Sequence, residues 1–413
     1  MLIYYIILVT FGICTMLTFP SKENERIKPI SQQREENRKF CVVKMCALMA
    51  LILILVAGLR AYTVGYDTIN YFEYFKFKQV YSDNVVYEPL YELINLIVIK
   101  AGLPFTFVLL ICTTIVIFAF ALVINRYSAS ASLSFFLLVA LGIFGNSFNA
   151  VRQYLALAVF LISIRFIIDG KFVLYMLCCV VAFYFHSSAI VLFPVYFVRY
   201  IKLDLKFIIV SLFSMVTLAF CLGPIVKLVS KLTNFNYYER YFFNDEFKQP
   251  ISLYYILYST GMLVVFLLFY AFNKKKSSEM SKVDSKIFNM FLMFFYISVC
   301  IRIFGTYSGM FSLINRFSLY FFFSIIIIIP FLIKYVDGKY KSIILFLILI
   351  LGVVYNVVSA VFRKSNGVYP YKMVINNIWA EILFYAIIIL LTISSIVYAI
   401  TIDRQKGCEI NEQ

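Results

Sequence analysis

The sequence predicts an all-α polytopic membrane protein, on three observations. Mean hydropathy is +0.91, and 63% of the 413 residues are hydrophobic against 14% charged, which excludes an ordinary soluble domain. Apolar runs repeatedly reach the ~20 residues that a helix needs to cross the hydrocarbon core. They are too long for the strands of an outer-membrane barrel and lack the period-2 alternation of one. The whole chain, 1–413, reads as a single integral membrane domain.

Taken in order, the apolar runs place spans near 1–19, 42–59, 104–124, 131–148, 152–168, 206–222, 251–272, 287–304, 316–334, 342–361 and 379–401. Met1–Phe19 has no basic leader and no small-residue cleavage site, so it reads as a retained span rather than a signal peptide. The stretch Phe172–Tyr200 is too long for one straight helix and is interrupted by His186-Ser187-Ser188, so two short helices are expected there. That brings the total to about 13 spans. Glu88–Gly102 is helical in pattern but short, and it carries Glu88, Glu92, Asn95 and Lys100. It is expected to lie in the interface or re-enter from the outer face.

Net charge is +16, and its placement sets the topology. Lys22, Arg26, Lys28, Arg34, Arg38, Lys39 and Lys44 form one cluster; Lys274, Lys275, Lys276, Lys282 and Lys286 form another. The positive-inside rule assigns both to the cytoplasm, with anionic-lipid contact as a secondary use, so no nucleic-acid partner is implied. The N-terminus then lies outside and the C-terminus inside, with external loops at about 60–87, 223–250, 305–315 and 362–378. No P-loop, acidic metal motif or dinucleotide fingerprint is present, and no cofactor is implied. The nine cysteines are scattered without metal-ligand spacing and read as apolar packing.

The polar residues at presumed outer helix ends carry the candidate chemistry. Gly58-Leu59-Arg60 precedes Val64-Gly65-Tyr66-Asp67-Thr68. Arg152-Gln153 opens an apolar helix, and a helix N-terminus beside an arginine binds anions by dipole and fork geometry together. His186, the only histidine, stands in an apolar run, and an ionisable group at membrane depth is a functional candidate by default. Each has a plainer reading. Arg60 also serves as a headgroup anchor, Asp67 as a turn former or as partner to Arg60, and His186 as an interhelical hydrogen-bond donor. Arg302 and Arg316 end and begin later spans, and Arg363, Lys364 and Lys372 make the last outer loop basic. Cations on a face that ought to be poor in them point to an anionic ligand such as a lipid-linked phosphate or diphosphate. The aromatics Tyr62, Tyr66, Tyr71, Phe72, Tyr74 and Phe75, then Tyr237, Tyr238, Tyr241, Phe242 and Phe243, suit an interfacial belt or sugar stacking alike.

In this order, Gly58-Leu59-Arg60, Val64-Gly65-Tyr66-Asp67-Thr68, Glu88-Pro89-Leu90-Tyr91, Arg152-Gln153-Tyr154-Leu155-Ala156 and Phe185-His186-Ser187-Ser188-Ala189 resemble the EpsG family. The resemblance resumes at Asn315–Tyr320 and Tyr369–Lys372. It implies a Wzy-like polymerase of the bacterial cytoplasmic membrane, with a GT-C-like fold by analogy. The substrate implied is an oligosaccharide repeat unit on undecaprenyl diphosphate, built into O-antigen, capsule or exopolysaccharide; a chain-length regulator is a candidate partner. On that reading the catalytic candidates are His186, Asp67 and Arg152, with Asp67 as base or as the group that orients His186. Arg60, Gln153, Arg316, Glu88, Arg302 and Tyr371 are the substrate-binding candidates. Arginines on the leaving diphosphate make a metal unnecessary. A flippase of the same lipid-linked units, or a membrane acyltransferase or ligase, is the alternative. A flippase usually shows two related halves, and no internal repeat is evident.

Overall fold

The computed structural model describes residues 2–19, 32–80, 87–233, 252–276, 278–308, 310–375 and 377–411. Lys22, Arg26 and Lys28 of the first basic cluster, and Tyr237, Tyr238, Tyr241, Phe242 and Phe243, lie outside these residues. The described chain is helical, with no strand; a lone antiparallel bridge joins Arg60 to Met373. Two compact units are formed, Met1–Phe193 with Ile329–Gln413, and Pro194–Ile328.

The helices in chain order are α1 (Leu2–Thr18), α2 (Gln32–Gly58), α3 (Thr68–Val80), α4 (Pro89–Lys100), α5 (Thr106–Tyr127), α6 (Ala131–Ala140), α7 (Ile143–Asn146), α8 (Val151–Asp169) and α9 (Phe172–Phe185). A 3₁₀ helix (Ser187–Tyr200) leads to α10 (Leu205–Thr233), α11 (Leu253–Lys276), α12 (Lys282–Tyr307), α13 (Phe311–Phe322) and α14 (Ile325–Lys334). α15 (Gly338–Val357) and α16 (Ile378–Asn411) complete the chain.

Among the described residues eight helical stretches are long and apolar enough to cross a membrane, against the roughly 13 spans expected from the hydropathy runs. Four further apolar helices run only 10–17 residues, and the apolar stretch Leu205–Cys221 forms the first part of α10. The chain breaks the longer runs at specific residues. The expected single span over 131–148 is split, because Gly142 adopts a left-handed conformation (φ 74°) between α6 and α7. The run 316–334 holds as a span, Ile314–Lys334, with two turn residues between α13 and α14 inside it. The expected loop over 60–87 contains a 13-residue helix, α3, and so is not simply a connector. The expected break in 172–200 falls at His186, whose backbone is extended (φ −161°, ψ 121°). Pro194 lies in the 3₁₀ helix that follows; it has no N–H to give to an α-helical ladder. α4 has 12 residues, which at 1.5 Å each gives about 18 Å and is too short to span.

In the first unit α8 is the axis. Leu155, Ala156, Leu157, Ala158, Phe160, Leu161 and Ile164 are all buried, so the helix is enclosed on most of its circumference. α5 and α9 pack on it, α2 packs on α5 and α16, and α1 packs on α6 and α16. Lipid is as apolar as leucine, so close packing and interhelical hydrogen bonds supply the adhesion, the latter about 0.6 kcal/mol each on average. Such bonds are present: Thr18 Oγ1 lies 2.8 Å from Ser132 Oγ, and Asn356 Nδ2 donates to the Val139 carbonyl at 2.9 Å.

The second unit is built on α12, against which α10, α11 and α13 pack. Ser211 Oγ meets Tyr296 Oη at 2.5 Å, and Ser259 Oγ meets Thr306 Oγ1 at 2.7 Å. Ser281 caps α12 by accepting from the Asp284 amide at 3.0 Å.

Candidate functional site

Three elements of the first unit bring their ends together. Glu88 is the residue before α4, held extended (φ −62°, ψ 148°) with Pro89 opening the helix. Proline suits that position because its missing N–H would have been unpaired there anyway. The Glu88 side chain does not cap its own helix. It reaches instead to two other elements.

One carboxylate oxygen, Oε2, forms an ion pair with Arg152 Nη1 in the first turn of α8. The other, Oε1, accepts from His186 Nδ1 at 2.8 Å and from the Ser187 amide at 3.3 Å. Their side chains are 17% (Glu88), 22% (Arg152) and 24% (His186) exposed, so the trio is accessible from one side without being bathed in water. Burial alone would disfavour the Glu88 anion. The His186 hydrogen bond and the Arg152 charge outweigh it and hold the carboxyl down at about 2.

Tyrosines wall the guanidinium. Arg152 stacks over Tyr87 at 4.1 Å from the ring centre and stands 6.0 Å from Tyr71. Tyr71, Tyr87 and Tyr91 touch one another with centroids 5.5–5.8 Å apart. Burial keeps the Tyr71 and Tyr87 phenols protonated, raising both above their ordinary value against the lowering influence of Arg152. One donor of the arginine, Nε, is buried with no hydrogen-bond partner.

Because Glu88 is ionised with its folded pKa at about 2, below the ordinary 4.5, its contribution to stability is complete above pH 4.5 and disappears as pH falls toward 2. The unfolding temperature of wild-type protein in detergent is expected to drop across that window. Glu88→Gln is expected to flatten this part of the profile, and an unchanged slope would contradict the ion-pair geometry.

A second set of motif residues builds the floor under this trio. Arg60 is 2% exposed and has no carboxylate partner among the described residues. Its Nη1 donates to the Ala57 carbonyl and its Nη2 to the Phe148 carbonyl at 3.5 Å, and the guanidinium covers the Phe148 ring at 4.3 Å. Burial pulls its pKa to about 10, partly offset by Tyr4 and Tyr371, so it stays a cation at neutral pH. Thr68 Oγ1 also donates to Phe148 O, at 3.0 Å. Asn149 Oδ1 accepts from the Asp67 amide at 3.3 Å, and Asn149 Nδ2 donates to Asn366 O at 3.0 Å. The Ala61 amide donates to Lys372 O at 2.8 Å and the Gly65 amide to Gly367 O at 2.9 Å. Tyr371 Oη donates to Val56 O at 2.9 Å. The loops at 59–68, 146–150 and 364–374 are thus clamped into one junction immediately ahead of Arg152.

Gly65 is indispensable in that junction, because it sits at φ +97° and an added Cβ would fall 2.6 Å from Thr68 Oγ1 and 3.2 Å from Phe148 Cβ. Gly65→Ala is expected to cost about 1–3 kcal/mol, read as a lowered thermal midpoint in detergent.

The sequence-derived candidates therefore sort into separate places. Arg152, His186 and Glu88 are brought together. Asp67 is not on His186; Glu88 occupies that position, while the Asp67 side chain is exposed and its carboxylate has no hydrogen-bond partner among the described residues. Asp67 still lies close enough to Tyr71 and Tyr87 to raise their pKa values. Arg60 does not pair with Asp67 and is enclosed beneath the trio, and Tyr371 packs beside it on Tyr4 with ring centres 6.0 Å apart. Gln153 is buried in the first turn of α8. Arg302 and Arg316 belong to the second unit: Arg302 is buried, donating to Tyr258 Oη at 2.5 Å and covering the Phe322 ring at 4.8 Å, whereas Arg316 is exposed.

Sequence reasoning missed the buried cluster just behind the trio. Lys78 Nζ lies 2.5 Å from Glu92 Oε1, and Tyr74 Oη hydrogen-bonds Glu92 Oε2, with Asn95 also buried. A signal existed: Glu88, Glu92 and Asn95 fall at the i, i+4, i+7 spacing of one helix face. Among the described residues no three His, Cys, Asp or Glu side chains gather into a group that could hold a metal ion.

No curated protein and no solved structure matches the chain, so the GT-C analogy has only the family resemblance behind it. The model of the EpsG family matches residues 43–373, a stretch that contains the Glu88–Arg152–His186 trio, the junction beneath it and both arginines of the second unit. By that match over most of its length, this multi-pass helical membrane protein belongs to the EpsG family.

Proposed function

We propose that the protein is a polysaccharide polymerase that joins oligosaccharide repeat units carried on undecaprenyl diphosphate, at the outer face of a bacterial cytoplasmic membrane. The observation that carries this reading is the pairing of a histidine and an arginine through one carboxylate in an aromatic-walled, half-buried site.

The chemistry follows from those side chains. Glu88 Oε1 takes the Nδ1 proton of His186 as a hydrogen bond, which leaves Nε2 as the basic nitrogen. The acceptor sugar hydroxyl gives its proton to Nε2 as its oxygen bonds to the anomeric carbon of the growing chain. The bond from that carbon to the diphosphate breaks, and its electron pair leaves on the diphosphate. Arg152, its guanidinium stacked on Tyr87 and partly exposed, stabilises that developing charge. Asp67 at the exposed rim is the alternative base. Arg60 acts from below by fixing Phe148 and hence the start of α8. Arg302 and Arg316, in the second unit, are candidate contacts for the lipid carrier. The site supplies its own cation, which makes a metal ion dispensable.

The test is reconstitution of the purified chain in vesicles with a defined lipid-linked repeat unit. A ladder of elongated lipid-linked products, formed equally well in EDTA, is the expected result. Transfer of the lipid-linked unit across the bilayer without elongation would identify a flippase, and a single transfer to an unrelated acceptor would identify a ligase or acyltransferase. Strict dependence on a divalent cation would refute the metal-free scheme.

A further inference from the structure

The Glu88 carboxylate holds two partners with a single charge. Oε2 is engaged by Arg152, while Oε1 carries His186 Nδ1 and the Ser187 amide. Arg152 and His186 have no contact with each other in the described structure except through this group. A ligand that competes for one partner therefore alters what Glu88 offers the other.

The remaining charged and titratable groups facing the trio are few. Among the described residues Asp67 stands just before α3, Tyr71 within it and Tyr87 just ahead of α4, and Arg152 is the one cation that shifts these tyrosines. The guanidinium is also incompletely satisfied, with Nε buried and unpartnered. An incoming anion of two or more charges has a stronger Coulombic claim on Arg152 than one carboxylate has.

We infer that Glu88 couples the two halves of the site: a diphosphate that captures Arg152 leaves the carboxylate to His186 alone and so makes the imidazole a stronger base. This rests on the reading of Arg152 as a diphosphate ligand. In the resting protein the single negative charge of Glu88 is divided between Arg152 and His186. Once the guanidinium turns to a diphosphate, the same carboxylate stabilises a proton on His186. Donor binding thereby precedes activation of the acceptor hydroxyl, and an empty donor site leaves the base weak. Glu88 is a positioning residue in this scheme, since it touches neither sugar nor phosphate.

Linkage makes the coupling measurable from both sides. The chain has one histidine, so full-length protein labelled with ¹⁵N-histidine gives a single imidazole signal that needs no assignment. Inorganic pyrophosphate is the probe. In wild type, saturating pyrophosphate is expected to move the imidazole titration to higher pH. Reciprocally, pyrophosphate is expected to bind on the order of five- to tenfold more tightly below that midpoint than above it. In Glu88→Gln, pyrophosphate still binds through Arg152, but the movement of the imidazole falls to less than half. Glu88→Asp, too short to span both partners, is expected to lose the coupling in the same way and serves if the glutamine variant does not fold.

An imidazole shift as large in both Glu88 variants as in wild type would mean that the added anion acts directly through space, and would overturn the coupling. Binding that depends on Arg152 with no movement of the wild-type imidazole would also overturn it while leaving the diphosphate reading intact. Failure of pyrophosphate to bind wild type would overturn both.

Discussion

His186→Ala is expected to reduce chain elongation by about 10²–10⁴-fold, the usual worth of a positioned general base. The loss is separable from a folding defect because the turn at this residue is held by its backbone. The His186 amide donates to Ala182 O at 3.0 Å, and the His186 carbonyl accepts from the Ala189 amide at 2.9 Å. Tyr175 Oη fastens the following segment by donating to Leu192 O at 2.7 Å. None of these needs an imidazole. The side chain contributes one charge-assisted hydrogen bond to a partly exposed carboxylate, worth roughly 1.5–3 kcal/mol at most. The variant is therefore expected to accumulate at near-normal levels in the membrane and to leave surface glycan carrying a single repeat unit. In the reconstituted assay its residual rate is expected to lose the limb of the pH profile that belongs to the base. A ladder of wild-type length from His186→Ala would sink the assignment and move the role of base to Asp67.

Arg152→Ala is expected to cost about 10²–10³-fold in turnover, the range seen when one preorganised donor to a developing anion is removed. Three things are lost together: the proposed fork on the diphosphate, the stack on Tyr87 and the counter-charge of Glu88. Arg152→Lys keeps the charge but cannot span two phosphate oxygens with a planar fork, so only partial recovery is expected. The contrast with Arg60 sharpens the prediction. Arg60 is enclosed by Phe148 and backbone carbonyls, so its removal is expected to lower stability and activity together. Arg152→Ala is expected to lower activity with much less effect on the thermal midpoint. Wild-type product length from Arg152→Ala, measured at equal protein level, would remove the diphosphate clamp.

The motif residues were all visible in the sequence, yet their division of labour was not. Arg60 and Arg152 look alike on the page, each an arginine at the end of an apolar run. Packing separates them: Arg60 lies under the 146–150 turn with two carbonyls and an aromatic ring, and Arg152 faces a carboxylate and an accessible space. Asp67 and Glu88 look alike too. Asp67 follows Gly65 in a tight turn that spends its backbone amide on Asn149, which leaves its carboxylate at the rim. Glu88 precedes Pro89, whose fixed φ starts α4 and aims the side chain back across α8 and α9. The docking of the loop at 364–374 was not legible in its basic, proline-containing pattern, because much of it rests on backbone bonds to Leu59, Ala61 and Gly65, and such bonds carry no side-chain signature. The helix α3 was hidden for a similar reason. Its aromatics at Tyr71, Tyr74 and Phe75 are buried while others remain exposed, which a belt of interfacial rings imitates in sequence.

The sequence by itself determined that this is a helical, multi-pass membrane chain of the EpsG family, and it singled out His186 and Arg152 as candidates. Hydropathy and residue order suffice for that, because a backbone in lipid must bond within its own helix and leaves apolar runs of fixed length. Only the tertiary structure decided which carboxylate joins His186 to Arg152, and that Arg60 is enclosed by Phe148 and backbone carbonyls. Those outcomes depend on contacts between residues separated by 64 and 98 positions in the chain, whose meeting is set by helix packing and by no local pattern.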